Sequence, residues 1–248
     1  MNNILKIIVL ASLLSTACAK EITIPMMGEY EVYEVDIKEL SGLCFNHDET
    51  ALLACGDKGV VKSISFDGVA NEVYTSGSDM EGITIDPATG HIYLAIETTQ
   101  EIHRLMAPDY NSETVVFAVQ DAVDGKFANS GLEAVEFYKR DFLFVGSQKN
   151  ANLWKYKLDG TMKSKISLSS FAKEIAGLCY DPVIDCLWVV DSKDAKIFLC
   201  TLEGELIKAY DIPYVDNAES ICVDRARSCV WVGSDEDATK LYKIAFQF

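Results

Sequence analysis

The chain has 248 residues, with 38 Asp plus Glu against 22 Lys plus Arg, a formal net charge of −16 and 49% apolar residues. That apolar content excludes a disordered chain, and the negative charge argues against nucleic acid or an anionic membrane surface as partner, leaving cations as the better match. Eight cysteines, none in a CxxC pair, are too few to staple a chain of this length, so a hydrophobic core must hold the fold.

Residues 1–18 read as a secretory signal. Lys6 precedes the apolar run Ile7 to Leu14, which is followed by the small-residue stretch Ser15-Thr16-Ala17-Cys18-Ala19. The run is too short to span a bilayer, and no later stretch of about 20 apolar residues follows it. Cleavage after Ala19 would give a soluble periplasmic protein, whereas cleavage before Cys18 would give a lipoprotein with a lipidated Cys18. The segment resembles a lipobox, with Ser15 where leucine is usual. A cysteine at the end of such a run is uncommon by chance, which favours a lipid-anchored protein of the periplasm or cell envelope, with residues 19–248 as one working domain.

A repeat runs through that domain. The phrase appears as Leu40-Ser41-Gly42-Leu43, Met80-Glu81-Gly82-Ile83, Leu132-Glu133-Ala134-Val135, Ile175-Ala176-Gly177-Leu178 and Ala218-Glu219-Ser220-Ile221, with spacings of 40, 52, 43 and 43 residues. Five residues after the second position of a phrase stand Asn46, Asp86, Asp181 and Asp224; eleven residues after it, Leu52, Ile92, Leu187 and Val230 open apolar runs, and Leu143 does so one residue earlier in the third repeat. Turn signals follow at Asp67-Gly68, Asp159-Gly160 and Glu203-Gly204. A unit of about 40 to 45 residues containing four short strands is a propeller blade. The sequence therefore predicts an all-β, five-bladed β-propeller of four-stranded antiparallel blades. The fifth unit stops one strand short at Phe248, and the stretch from Tyr30 to Ile37 is expected to close the last blade as its outer strand.

The phrases beginning at Leu40 and Met80, together with Leu202-Glu203-Gly204 and the aromatic-rich strands after them, resemble the SdiA-regulated family of exported bacterial propellers over roughly residues 25 to 248. The resemblance implies a five-bladed propeller, periplasmic or membrane-associated, with a metal at the central channel, and it implies no established reaction. Ala176 and Ser15 depart from the pattern.

The second residue of each phrase begins the innermost strand and is expected to face the axis: Ser41, Glu81, Glu133, Ala176 and Glu219. Carboxylates converging in a narrow channel repel one another unless a cation sits among them. Oxygen donors without histidine or cysteine suit a hard ion, calcium before magnesium. Ca2+ held by Glu81, Glu133, Glu219 and Ser41 is the expectation. Loops between the second and third strands bring Asp57, Glu97, Gln148, Lys149, Asp191, Lys193 and Asp235 to the same rim. Of these, Glu97, Lys149, Asp191 and Asp235 are the candidates for touching a small-molecule, glycan or peptide ligand. About ten extra residues around Gln120 to Asn129 enter on this face as a lid, a specificity loop or a tolerated insertion.

Other features point to structure. Ser170-Phe171-Ala172-Lys173 matches S-x-x-K but falls in a loop between blades. His47, His91 and His103 are isolated and read as surface residues. Trp154, Trp188 and Trp231 read as blade packing. Cys44, Cys179 and Cys222 each stand three residues after the axial position, and Cys186 and Cys229 ten after it, suggesting small slots between blades. Bridges from Cys179 to Cys186 and from Cys222 to Cys229 are conceivable. The leading functional expectation is an exported monomeric binding module with calcium at its channel. The alternative is a calcium-dependent hydrolase of phosphate or lactone esters, in which Glu97 or Asp191 activates water.

Overall fold

A computed structural model describes residues 22–120, 131–236 and 239–248. The signal segment with Cys18, and all of the long insertion except Gln120, lie outside the described residues. The chain forms five four-stranded antiparallel sheets and so bears out the five-bladed propeller. Strand β1 (Met26–Glu34) comes first and belongs to the last blade. The first blade is β2 (Leu40–Phe45), β3 (Leu52–Gly56), β4 (Val60–Ile64) and β5 (Ala70–Thr75), and the second is β6 (Met80–Ile85), β7 (Ile92–Ile96), β8 (Glu101–Leu105) and β9 (Glu113–Ala118). The third is β10 (Leu132–Tyr138), β11 (Phe142–Ser147), β12 (Asn152–Lys157) and β13 (Met162–Ser167). The fourth is β14 (Gly177–Asp181), β15 (Cys186–Asp191), β16 (Lys196–Thr201) and β17 (Leu206–Asp211). The fifth is β18 (Ala218–Asp224), β19 (Cys229–Ser234) and β20 (Lys240–Gln247), closed by β1.

The closing strand begins four residues earlier than expected and ends at Glu34. Its register runs from Met26 opposite Gln247 to Glu34 opposite Lys240. Tyr30 stacks on Tyr214 with ring centroids 4.0 Å apart, and the Tyr210 hydroxyl donates to the Pro25 carbonyl at 2.8 Å. These contacts tie the N-terminal segment to the fourth and fifth blades.

The second strands β3, β7, β15 and β19 are buried along their whole length. Their apolar runs serve two faces at once, because each blade is sandwiched between two others. The core is accordingly five separate clusters, one at each blade interface. Trp154, Trp188 and Trp231 are fully buried within these clusters. Trp188 and Trp231 stand on second strands and donate their indole N–H to Asp181 at 3.3 Å and Asp224 at 3.1 Å, whereas Trp154 lies on a third strand.

In four of the five blades, the polar residue five places after the axial position shapes the hairpin that follows. Asn46 Oδ1 accepts the Ala51 N–H, Asp86 Oδ1 the Ala88 N–H, Asp181 Oδ1 the Val183 N–H and Asp224 Oδ1 the Arg227 N–H, all between 2.8 and 3.1 Å. These are turns nucleated by an Asx side chain. At the outer hairpins, Gly68 and Gly204 take positive φ, 89° and 86°, as those tight turns require.

Strand register corrects two sequence expectations. Cys179 pairs with Trp188 and Cys222 with Trp231, so neither faces the cysteine seven residues later, and neither expected bridge forms. His47 is exposed as expected, whereas His91 and His103 are half-buried rather than surface residues. His91 Nδ1 accepts the Ala107 N–H at 3.1 Å, and His103 on β8 sits between Glu101 and Glu113.

Candidate functional site

The repeated phrase has one structural meaning in four blades. Register shifts fall between Leu40 and Gly42, Met80 and Gly82, Leu132 and Ala134, and Ala218 and Ser220. The extra residues are Ser41, Glu81, Glu133 and Glu219, each a bulge at the start of an inner strand. A bulge re-aims one side chain out of the ladder, here at one end of the channel. The fourth blade has Ala176 in this place, and both it and Gly177 lie against Val190.

The next position explains the small residues of the phrase. A Cβ on Gly42 would lie 2.7 Å from the Ile83 nitrogen, and one on Gly82 2.7 Å from the Val135 nitrogen. Neighbouring inner strands thus touch backbone to backbone and narrow the channel to a waist. The void there is about 10 Å³, room for about one water.

Above the waist, a recurring backbone bond folds the outer loops onto the bulges. The Asp57 N–H donates to Glu39 O, Glu97 N–H to Asp79 O, Gln148 N–H to Gly131 O and Asp235 N–H to Asn217 O, between 2.9 and 3.3 Å. Each carbonyl belongs to the residue two places before the bulge. Loop carboxylates and bulge carboxylates therefore share one mouth.

The tightest grouping among the described residues is Asp57, Asp79 and Glu81, whose ligand atoms lie within 4.8 Å of one another. The Ser41 hydroxyl donates to Asp57 Oδ1 at 2.8 Å. Of the residues named from the sequence, Glu81 belongs to the cluster and Ser41 adjoins it, while Glu133 and Glu219 continue round the ring. Burial, then repulsion from Asp57 and Asp79, pushes the Glu81 carboxyl up to about 9. Burial, then Glu81 and Glu97, pushes Glu133 to about 11; burial, then Glu174, pushes Glu219 to about 8. Asp79 and Glu97 are raised for the same first cause. These crowded carboxyls hold their protons above the usual range, and a divalent cation would take the place of those protons.

The rim residues divide by what already holds them. Glu97 accepts the Gly131 N–H at 3.0 Å and is buried beside Glu133. Asp191 is fully buried and accepts the N–H groups of Lys173 at 2.6 Å and Asp194 at 3.0 Å, so its carboxylate shapes the loop. Lys193 pairs with Glu174. Lys149 lies in a 3-10 turn between β11 and β12, and Asp235 follows β19 at the mouth.

Two acidic residues of this mouth escaped the sequence reading. Asp79 completes the tight cluster, and Glu174, only 2% exposed, supplies the fourth blade with the carboxylate that Ala176 lacks. Both stand two residues before the second position of the phrase, a place counted easily once the phrase is aligned.

Residues 149–247 match the family model of SdiA-regulated proteins, the family that the sequence resembles. Comparison with the curated proteins gives no match. Among solved structures the chain is similar to one in a nidogen/laminin complex, at 14% identity over 84% of this chain and 85% of that one, with a TM-score of 0.58. It is similar to a gluconolactonase from Xanthomonas campestris at 14% identity, covering 88% and 80%, with a TM-score of 0.57. An auxiliary nutrient binding protein from Bacteroides thetaiotaomicron shares 13% identity over 84% of this chain and 59% of its own, with a TM-score of 0.54. At such identities the likeness carries the fold alone.

Proposed function

We propose that this propeller of SdiA-regulated type is an exported ligand-binding module whose acidic channel mouth is organised by a calcium ion. The observation that carries the reading is the cluster of Asp57, Asp79 and Glu81, with Ser41 hydrogen-bonded to it and further raised carboxyls around the ring. All donors are oxygen, and calcium accepts six to eight oxygen ligands in flexible geometry. Glu133 and Glu219 stand as outer partners. An ion held by one side of the mouth keeps positions open toward solvent, where a small molecule, glycan or peptide could donate its own oxygens. The N-terminal signal sequence supports export, and Cys18 is the proposed lipid attachment point.

The test is elemental analysis of the purified domain before and after chelation, beside Glu81→Gln and Glu219→Gln variants. Retention of about one calcium per chain that Glu81→Gln abolishes supports the proposal. Metal content indifferent to both substitutions overturns it. Mass spectrometry of the mature N-terminus reads out the anchor.

A second reading, calcium-dependent hydrolysis of a lactone or phosphate ester, is favoured by the likeness to a gluconolactonase. In this reading the ion polarises the scissile group and Glu97 activates water, since Asp191 is committed to backbone N–H groups. No described histidine lies at this mouth: His47 lines the opposite one, and His91 and His103 bond elsewhere. Calcium-dependent turnover of gluconolactone that Glu97→Gln removes would establish the enzyme reading.

A further inference from the structure

The inner strands all run the same way along the axis, so their far ends meet at the second mouth of the channel. A cavity of about 660 Å³ opens there, beyond the waist and away from the acidic ring. Apolar side chains such as Phe45, Ile85, Phe137 and Val223 make much of its wall. Around its floor runs a ring given by one register position in every blade: Cys44, Thr84, Glu136, Cys179 and Cys222.

Three members of this ring lean toward the next blade. The Thr84 hydroxyl accepts the Phe137 N–H at 3.0 Å and donates to Glu136 at 3.2 Å. Glu136 accepts the Tyr180 N–H at 3.0 Å, and Cys179 Sγ accepts the Val223 N–H at 3.3 Å. Oriented in this way, side chains from different blades become neighbours. The Cys179 sulfur thus lies beside Val223, the residue that follows Cys222, which makes the two cysteines neighbours across the blade boundary. Cys179 is half-exposed toward the cavity, Cys222 is 2% exposed behind it, and Cys44 stands on the same floor one blade further on.

We infer that this second mouth is a binding site for a soft monovalent d10 cation, with Cu+ as the physiological class, held between the sulfurs of Cys179 and Cys222. Thiolate sulfur selects Cu+ over hard ions. Zinc would need four ligands in a tetrahedral shell, and no group of three ligand atoms at this mouth lies within 4.8 Å among the described residues. A cation that takes two ligands in a line needs only the neighbouring pair Cys179 and Cys222. Binding converts two thiols and one Cu+ into a dithiolate complex bearing one negative charge, with two protons released to solvent. No electron is transferred. The cavity is wide enough to admit a chelated ion.

The experiment is anaerobic titration of the full mature protein with Cu+ against a chromogenic Cu+ chelator, followed by X-ray absorption of the loaded protein. The expected result is about one Cu+ per chain withheld from the chelator, with sulfur as the scattering neighbour. Cys179→Ser and Cys222→Ser should each surrender the copper, whereas Cys55→Ser and Cys200→Ser, which alter buried thiols away from this cavity, should retain it. Melting curves of the copper-free variants check that each is folded. Oxygen or nitrogen ligands in the loaded wild type would overturn the inference, as would copper retained equally by all four variants. A Cys179–Cys222 disulfide in protein isolated without reductant overturns it too, because sulfurs bonded to each other offer no thiolate.

Discussion

The hydroxyl of Ser41, a bulge residue on the innermost strand of the first blade, donates to Asp57 on a loop between two outer strands at 2.8 Å. This bond orients one carboxylate of the tightest acidic cluster toward Asp79 and Glu81. Ser41→Ala should cost about 1 kcal/mol of stability, the usual worth of such a hydrogen bond. It should also shrink the rise in melting temperature that calcium gives. Calorimetry with and without calcium checks both, and an unchanged calcium response would remove Ser41 from the site.

The raised carboxyls set a pH dependence. Glu81, Glu133 and Glu219 have folded pKa values of about 9, 11 and 8, against an ordinary 4.5. Above pH 4.5 the unfolded chain loses protons that the folded mouth retains. Stability of calcium-free protein therefore falls as pH rises from about 5 to about 9, at up to about 1.4 kcal/mol per pH unit for each proton in the difference. Calcium binds the deprotonated form and should flatten this fall. Urea midpoints at pH 5, 7 and 9, in chelator and in calcium, give the comparison.

At the waist, Gly82→Ala places a methyl group 2.7 Å from the Val135 nitrogen and 2.9 Å from the Ala134 Cα. Backbone cannot swing aside as a side chain can. The substitution should cost about 1–3 kcal/mol, the range for overpacking. Chemical denaturation reads the loss, and a neutral result would mean that the inner strands slide apart freely.

Asp181 gathers four donors at the fourth hairpin: the Val183 N–H at 3.1 Å, the Trp188 indole at 3.3 Å and both Nε and Nη2 of Arg225, the latter at 2.7 Å. Arg225 reaches it from the fifth blade and lies over the Phe248 ring at 4.4 Å. Asp181→Asn keeps the shape and removes the charge, leaving Arg225 unpaired. A loss of about 2–3 kcal/mol is expected, and a double variant with Arg225→Ala should cost less than the sum of the two single changes.

The blades were legible because one physical demand recurs five times. Every inner strand needs a tiny residue where it touches its neighbour, so glycine, alanine or serine follows each bulge. Hairpin closure needs an Asx side chain, so Asn46, Asp86, Asp181 and Asp224 fall in register. The ring glutamates were legible for the same reason. Asp79 and Glu174 were not, because they precede the phrase and are held at the mouth by bonds that have no sequence signature, a backbone bond at Asp79 and the Lys193 N–H on the Glu174 carboxylate. Asp191 looked like a rim ligand from its register, but lies buried under two N–H groups that only the folded loop reveals. The cysteines were read as packing residues. Their register was visible, yet their contact across blades follows from the lean of the inner strands.

The pairing of β1 with β20 also gives the ring a polarity. Met26 lies opposite Gln247, at the end of the fifth blade where Asp224 turns into β19, and Glu34 lies opposite Lys240 near the acidic mouth. The chain thus enters its outermost strand from the side that carries the thiol-lined cavity, at the perimeter rather than on the axis. A lipid on Cys18, as proposed above, would hold the propeller by one edge of that side. The acidic mouth would then point away from the anchor, free to meet what diffuses past, while the cavity would be turned back toward the membrane.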